Sequence, residues 1–76
     1  MKTWAEIKLW PAERFERYGV PWARYRSPDG SMIVEAAIAS LVHDRASVGN
    51  GASVGYHASV GYHASVVAHA SVGYHA

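Results

Sequence analysis

The sequence predicts a mainly β chain, wound as a short parallel solenoid of three flat sides with a small N-terminal helical cap and hairpin. Three observations lead there. From Ala46 the chain reads in six-residue units, ASVGNG, ASVGYH, ASVGYH, ASVVAH and ASVGYH, closing on Ala76. The two units that lack tyrosine begin at 46 and 64, eighteen residues apart, which is the spacing of a coil with three hexads. All seven basic and six acidic residues lie at or before Arg45, so an uncharged repeat follows a charged, aromatic first half. Internal repetition is read before any local signal because it sets the architecture.

Six is an even period, so in an extended chain each hexad presents the same faces as the one before. Val48, Val54, Val60, Val66 and Val72 share an orientation with the alanines two residues earlier, and the serines between them point the other way. These valines are the predicted core. Gly49, Gly55, Gly61 and Gly73 suit corners where the backbone bends or takes a positive φ. With three sides, Tyr56 and His57 stack beneath Tyr74 and His75, and Tyr62 and His63 lie over Asp44 and Arg45. Successive layers sit about 4.7–4.9 Å apart.

The phrase Val-Gly-Tyr-His-Ala-Ser, read from Val54 or Val60, resembles the hexapeptide repeat of left-handed parallel β-helix proteins: aliphatic, small, two variable residues, small, one variable. The match covers roughly residues 42–76, since Val42-His43-Asp44-Arg45-Ala46-Ser47 also fits. Across Ser31–Leu41 the phase slips, because Ile38 and Val42 are four apart. The resemblance implies a left-handed triangular β-helix. It does not select a function, since the same repeat serves acyltransferases, γ-class carbonic anhydrases and non-catalytic solenoids. The alternative for a segment so rich in Gly, Ser and Ala is low-complexity disorder; regularly placed valines and scarce proline favour order.

The first half reads as a cap and a turn, residues 1–30, ahead of the solenoid, residues 31–76, in a single domain. Thr3 with Glu6 matches a capping box. Pro11 and Glu13 open a second helical stretch, Pro11–Tyr18, ended by Gly19 at a C′ position. Trp4, Ile7, Phe15 and Tyr18 then fall on one helical side, and Trp4, Trp10 and Trp22 read as core. Ser27-Pro28-Asp29-Gly30 signals a turn between two strands, Val20–Arg26 and Ser31–Ile38, with Met32, Val34 and Ala36 facing one way. Arg14, Arg17, Arg24 and Arg26 with Glu13 and Glu16 read as a solvated face.

Composition bounds the function. A chain of 76 residues is near the lower limit for an independent core and usually needs a staple or a partner. Without cysteine there are no disulfides, thiolate metal sites or cysteine nucleophile. A formal net charge of +1 argues against nucleic acid as a partner. No apolar signal core opens the chain and no stretch approaches the ~20 apolar residues of a membrane span. The expected setting is cytoplasmic or virion-associated.

The candidate binding surface is the tyrosine–histidine rim: Tyr56, His57, Tyr62, His63, Tyr74 and His75. Exposed tyrosines suit recognition at low entropic cost; the alternative is that the rings only shield the corners. A metal between His57 and His75 is the weaker option, because the histidine spacing follows from the repeat itself. No cofactor and no catalytic set are implied. The predicted function is a non-catalytic structural or protein-binding solenoid, acting by self-association or by docking on a larger complex, as a fibre or virion component or a small inhibitor. A solenoid end with nothing over it exposes apolar interior and strand edges, so a second copy, end to end, or another protein is expected over the C-terminal end. The alternative is a minimal hexapeptide-type enzyme, acyltransferase or γ-carbonic-anhydrase-like, with its site between subunits.

Overall fold

The computed structural model describes residues 1–74. Strand β1 (Lys2–Thr3) leads into the single-turn helix α1 (Trp4–Ile7), followed by β2 (Ala12–Arg17), β3 (Val20–Arg26) and β4 (Ile33–Ala37). Six two-residue strands come next: β5 (Leu41–Val42), β6 (Ser47–Val48), β7 (Ser53–Val54), β8 (Ser59–Val60), β9 (Ser65–Val66) and β10 (Ser71–Val72). They form three sheets, ordered β10-β7-β4-β3-β2, β1-β6-β9 and β5-β8.

This topology corrects the predicted left-handed triangular β-helix with its helical cap. The protein is mainly β, but parallel and antiparallel pairing are mixed in two of the three sheets, and among the described residues the strands make no closed or solenoid arrangement. Two-residue strands carry too few ladder bonds to organise a sheet alone. The longer β2, β3 and β4 build the largest sheet as an antiparallel meander. What the repeat does set is register. Each parallel pair joins residues eighteen apart: Val42 with Val60, Val48 with Val66, and Val54 with Val72. The same step carries Ala36 onto Val54. The phase therefore runs back through Val34-Glu35-Ala36, with the large and small core residues exchanged, while Ile38 lies outside it and is exposed.

The second predicted helix, Pro11–Tyr18, is strand β2. Register Arg17↔Val20 leaves Tyr18-Gly19 as a two-residue hairpin loop, and both have positive φ, 54° and 76°. Two such residues in succession are the signature of a type I′ turn, whose twist matches that of the flanking strands. Gly19 is thus a hairpin residue rather than a helix terminator. Nor does Thr3 form a capping box, since its side chain makes no cap hydrogen bond. The first free helical amides find backbone acceptors across the fold instead, Trp4 N–H on the Ala46 carbonyl (2.8 Å) and Ala5 N–H on that of Asp44 (3.0 Å). Lys8 Nζ holds the Asp44 carboxylate at 2.9 and 3.0 Å, closing the same junction.

The core joins both halves. Ile7 and Trp10 pack with Val34, Ala36, Ala46, Val48, Ala52, Val54, Ala58, Val60 and Val66, while Val72 is partly buried against them. Trp4 lies edge-on to Tyr25 at 5.2 Å. Burial raises the Tyr25 phenol above its usual pKa, with the nearby Arg14 charge acting the other way. The hexad turns also differ from expectation. Positive φ falls on the sixth residue, at Gly51, His57, His63 and His69, and not on the fourth-position glycines. At Gly49 and Gly55 the fourth position needs glycine for a different reason, close approach. A Cβ on Gly49 would lie 2.5 Å from the Ala68 nitrogen, and one on Gly55 would lie 2.8 Å from the Val72 carbonyl oxygen.

Candidate interaction surface

Parallel pairing runs in one sense in all three sheets. The N–H groups of Leu41, His43, Ser47, Gly49, Ser53 and Gly55 donate to the carbonyls of Ala58, Val60, Ala64, Val66, Ala70 and Val72 at 2.7–2.9 Å. The corresponding positions one register step on are Ser59, Gly61, Ser65, Val67, Ser71 and Gly73. These belong to or follow β8, β9 and β10, each the last strand of its sheet, so among the described residues no strand lies opposite their amides. The chain from Ala46 onward carries no Lys, Arg, Asp or Glu, so these three strands bring no such charge of their own, and Arg17 of β2 lies beside Ser71 and Gly73. An open strand edge is a template for another backbone.

The tyrosines of the predicted rim flank this end. Tyr56 stacks on Tyr74 with centroids 5.2 Å apart, the eighteen-residue step again. Each histidine packs first on its own neighbour: Tyr56 on His57 and Tyr62 on His63, both at 4.0 Å and nearly parallel. The left-handed φ at the histidine folds consecutive rings together, so the rim is made of tyrosine–histidine pairs. Tyr62 meets His43 edge-on at 5.1 Å. His69 instead lies over Gly51, where a Cβ would meet its Nδ1 at 2.5 Å. His75 lies outside the described residues, and with it the weak metal pair His57 and His75. Among the described residues, no three His, Asp or Glu side chains are grouped to hold a metal ion.

A groove of about 400 Å³ runs beside the tyrosine pair. Arg17, Tyr18 and Trp22 form one wall, Tyr56 and Tyr74 the other, and Ser53 and Ser71 lie between. The wall from the meander was missed at the sequence level. It rests on a cross-strand row, Glu13, Arg24 and Glu35, set by the register of β2, β3 and β4. Glu35 accepts from Arg17 (3.0 Å) and Arg24 (3.0 Å), and both guanidinium groups lie over Phe15 at 4.9–5.1 Å. Arg17 also covers Trp22 at 4.9 Å. These charges therefore form a lid over aromatic rings, not the freely solvated face that the mixed signs suggest. The only signal for it is the alternation of Glu13, Phe15 and Arg17, which emerges once Tyr18-Gly19 is read as a turn. The Trp22 indole N–H beneath them is buried without a hydrogen-bond partner among the described residues.

At the far side of the sheet, Asp29 organises the β3–β4 turn. Its carboxylate accepts from the Ser31 N–H (2.9 Å) and from the hydroxyls of Ser27 and Ser31 (both 2.7 Å). Those bonds, the Ser31 amide first, hold its pKa down to about 2. No helix among the described residues is long and apolar enough to cross a membrane. Comparison of the chain with protein-family models, with curated proteins and with solved structures finds no match.

Proposed function

We propose that this chain is a non-catalytic, protein-binding module that docks by pairing an extended backbone with the open edges of β8, β9 and β10. The observation that carries the reading is the row of outward amides at Ser59, Gly61, Ser65, Val67, Ser71 and Gly73, on strands that contain no Lys, Arg, Asp or Glu. Sheets are commonly protected at their edges by charge, and β2 illustrates it with Glu13, Arg14, Glu16 and Arg17. Strand addition draws affinity from main-chain hydrogen bonds and specificity from flanking side chains. Tyr56, Tyr62 and Tyr74 would supply that flank. The setting in which such docking acts, as part of an assembly or as an inhibitor occupying a larger complex, follows from the partner.

A synthetic peptide copying residues 52–60 is a direct probe. Mixed with dilute protein, it should slow amide exchange at the outward positions by at least about tenfold, while leaving β2 unchanged. Unaltered exchange at Ser59, Ser65 and Ser71 at saturating peptide would dispose of the edge-pairing reading.

A further inference from the structure

We infer that Asn50-Gly51 is a latent self-modification site, which the folded state holds shut and at which the chain deamidates once β4 leaves β7. Asn50 is the only asparagine of the chain, and there is no glutamine. The site is independent of edge pairing.

The chemistry lies within the dipeptide. The Gly51 nitrogen gives up its proton to base and bonds to Asn50 Cγ; the Cγ–Nδ2 bond breaks and that nitrogen leaves as ammonia. Water then opens the cyclic imide at either carbonyl, leaving aspartate or isoaspartate at position 50. Glycine after asparagine favours ring closure, because no side chain obstructs the approach. Both residues are exposed, so water and base reach them. The fold also keeps glycine here for a reason of its own: Gly51 has φ 78°, and a Cβ on it would meet the His69 ring at 2.5 Å. A bulkier, slower-reacting residue is therefore excluded.

Hydrogen bonding, not burial, holds the site shut. In the parallel ladders an amide donates to the carbonyl seventeen residues on, as Glu35 does to Ala52 (3.1 Å) and Leu41 to Ala58 (2.8 Å). The Ile33 N–H, at the start of β4, keeps that step but donates to the side-chain Oδ1 of Asn50 at 2.9 Å. The main-chain carbonyl of Asn50 accepts instead from the His69 N–H (2.9 Å). The carboxamide thus stands in for its own backbone as the ladder acceptor. The attacking nitrogen is engaged by the same residue, since the Gly51 N–H donates to the Ile33 carbonyl at 2.7 Å. Electrophile and nucleophile are tied to the two backbone groups of Ile33. Ring closure needs both bonds broken, because the carboxamide must swing and the amide proton must go to base. Tyrosine, at the same place in the hexads at 56, 62 and 74, has no acceptor so close to its backbone. That gives the departure of residues 46–51 from the repeat a physical reason.

The test follows intact mass and released ammonia for the full chain at mildly alkaline pH, in buffer and in guanidinium chloride sufficient to unfold it. Ammonia reports Asn50 alone, because isomerisation at Asp29-Gly30 releases none. Conversion should be slower in buffer by at least about tenfold, in step with the protection of the Ile33 and Gly51 amides from exchange. Equal rates in the two solvents overturn the closure, and no ammonia from the unfolded chain overturns the reactive site. Ile33→Pro removes the N–H that holds the carboxamide, at the first residue of a strand, where proline is tolerated. It should speed conversion in buffer by about fivefold or more. A folded variant that converts no faster overturns the clamp. Should the variant not fold, exchange in the wild type decides: Ile33 and Gly51 amides as fast as in the unfolded chain overturn it equally.

Discussion

The protein has two kinds of strand edge, and they are finished differently. Strand β2 ends the five-stranded sheet with six residues, four of them charged, and its outward side chains are tied down by Glu35 and the arginines. Strands β8, β9 and β10 end their sheets with two residues each and no charge. A long strand gathers cross-strand side-chain pairs along its length, so the meander can spend part of its surface on solubility. A two-residue strand has no such length. It is held by its turns, by its one parallel neighbour and by burial of one valine. The difference shows that a short repeat takes its order from the layer beneath it.

The largest perturbation should come from the residue that belongs to both regions. Ile7 is completely buried among side chains of the meander and of the hexads. Ile7→Ala should cost about 3–4 kcal/mol, lowering the melting temperature by more than about 10 °C in a single transition. If circular dichroism instead showed the hexads melting while the meander stayed folded, the two regions would be separate units. A smaller change would act on one side only. Glu35→Gln weakens the contacts to Arg17 and Arg24 and should cost about 1 kcal/mol, read in thermal unfolding, with amide exchange at Val48 and Val54 following only the global loss.

The smallest effect is a pH dependence confined to the turn. Asp29 is shifted from its ordinary 3.8 to about 2 when folded, so the unfolded chain binds its proton first. Its contribution to stability is present above 3.8 and is lost as pH falls from 3.8 towards 2. Unfolding midpoints measured across that window should decline in the wild type. The decline should be shallower in Asp29→Asn.

The hexad register was legible because a strict period leaves few alternatives: once two irregular units lay eighteen residues apart, Val48 had to meet Val66. The Ser27–Gly30 turn and the β3 strand were legible for local reasons, since Asp29 and Gly30 each have a turn preference of their own. Strand β2 was not. Its polar residues fall on both faces, so the period-two signal is faint, and Pro11 and Gly19 imitate the ends of a helix. Only pairing with β3 decides the matter, and pairing is not a local property. The turn chemistry misled in a related way. Glycine has two uses, freedom in φ and absence of a side chain; Gly49 and Gly55 at the fourth hexad position use the second, and histidine takes the left-handed conformation at the sixth. The solenoid predicted from the repeat failed as an architecture because the sequence pattern of residues 46–76 says nothing about β2, β3 and β4, which organise the largest sheet. Of the proposed binding surface, the tyrosine pair was visible in advance, while the Arg17–Trp22 wall became visible only through the hairpin.

Strand β1 has one more consequence, for the order of events during synthesis. Lys2 and Thr3 leave the ribosome well before their strand partners, Val48 and Ser47. Ile7 likewise waits for valines that are translated later. At ordinary elongation rates of about 5–20 residues per second, the meander has seconds in which to form its hairpins before anything can seal its apolar face. The nascent chain therefore passes through an interval with that face exposed, and a chaperone acting on this protein would find its substrate there.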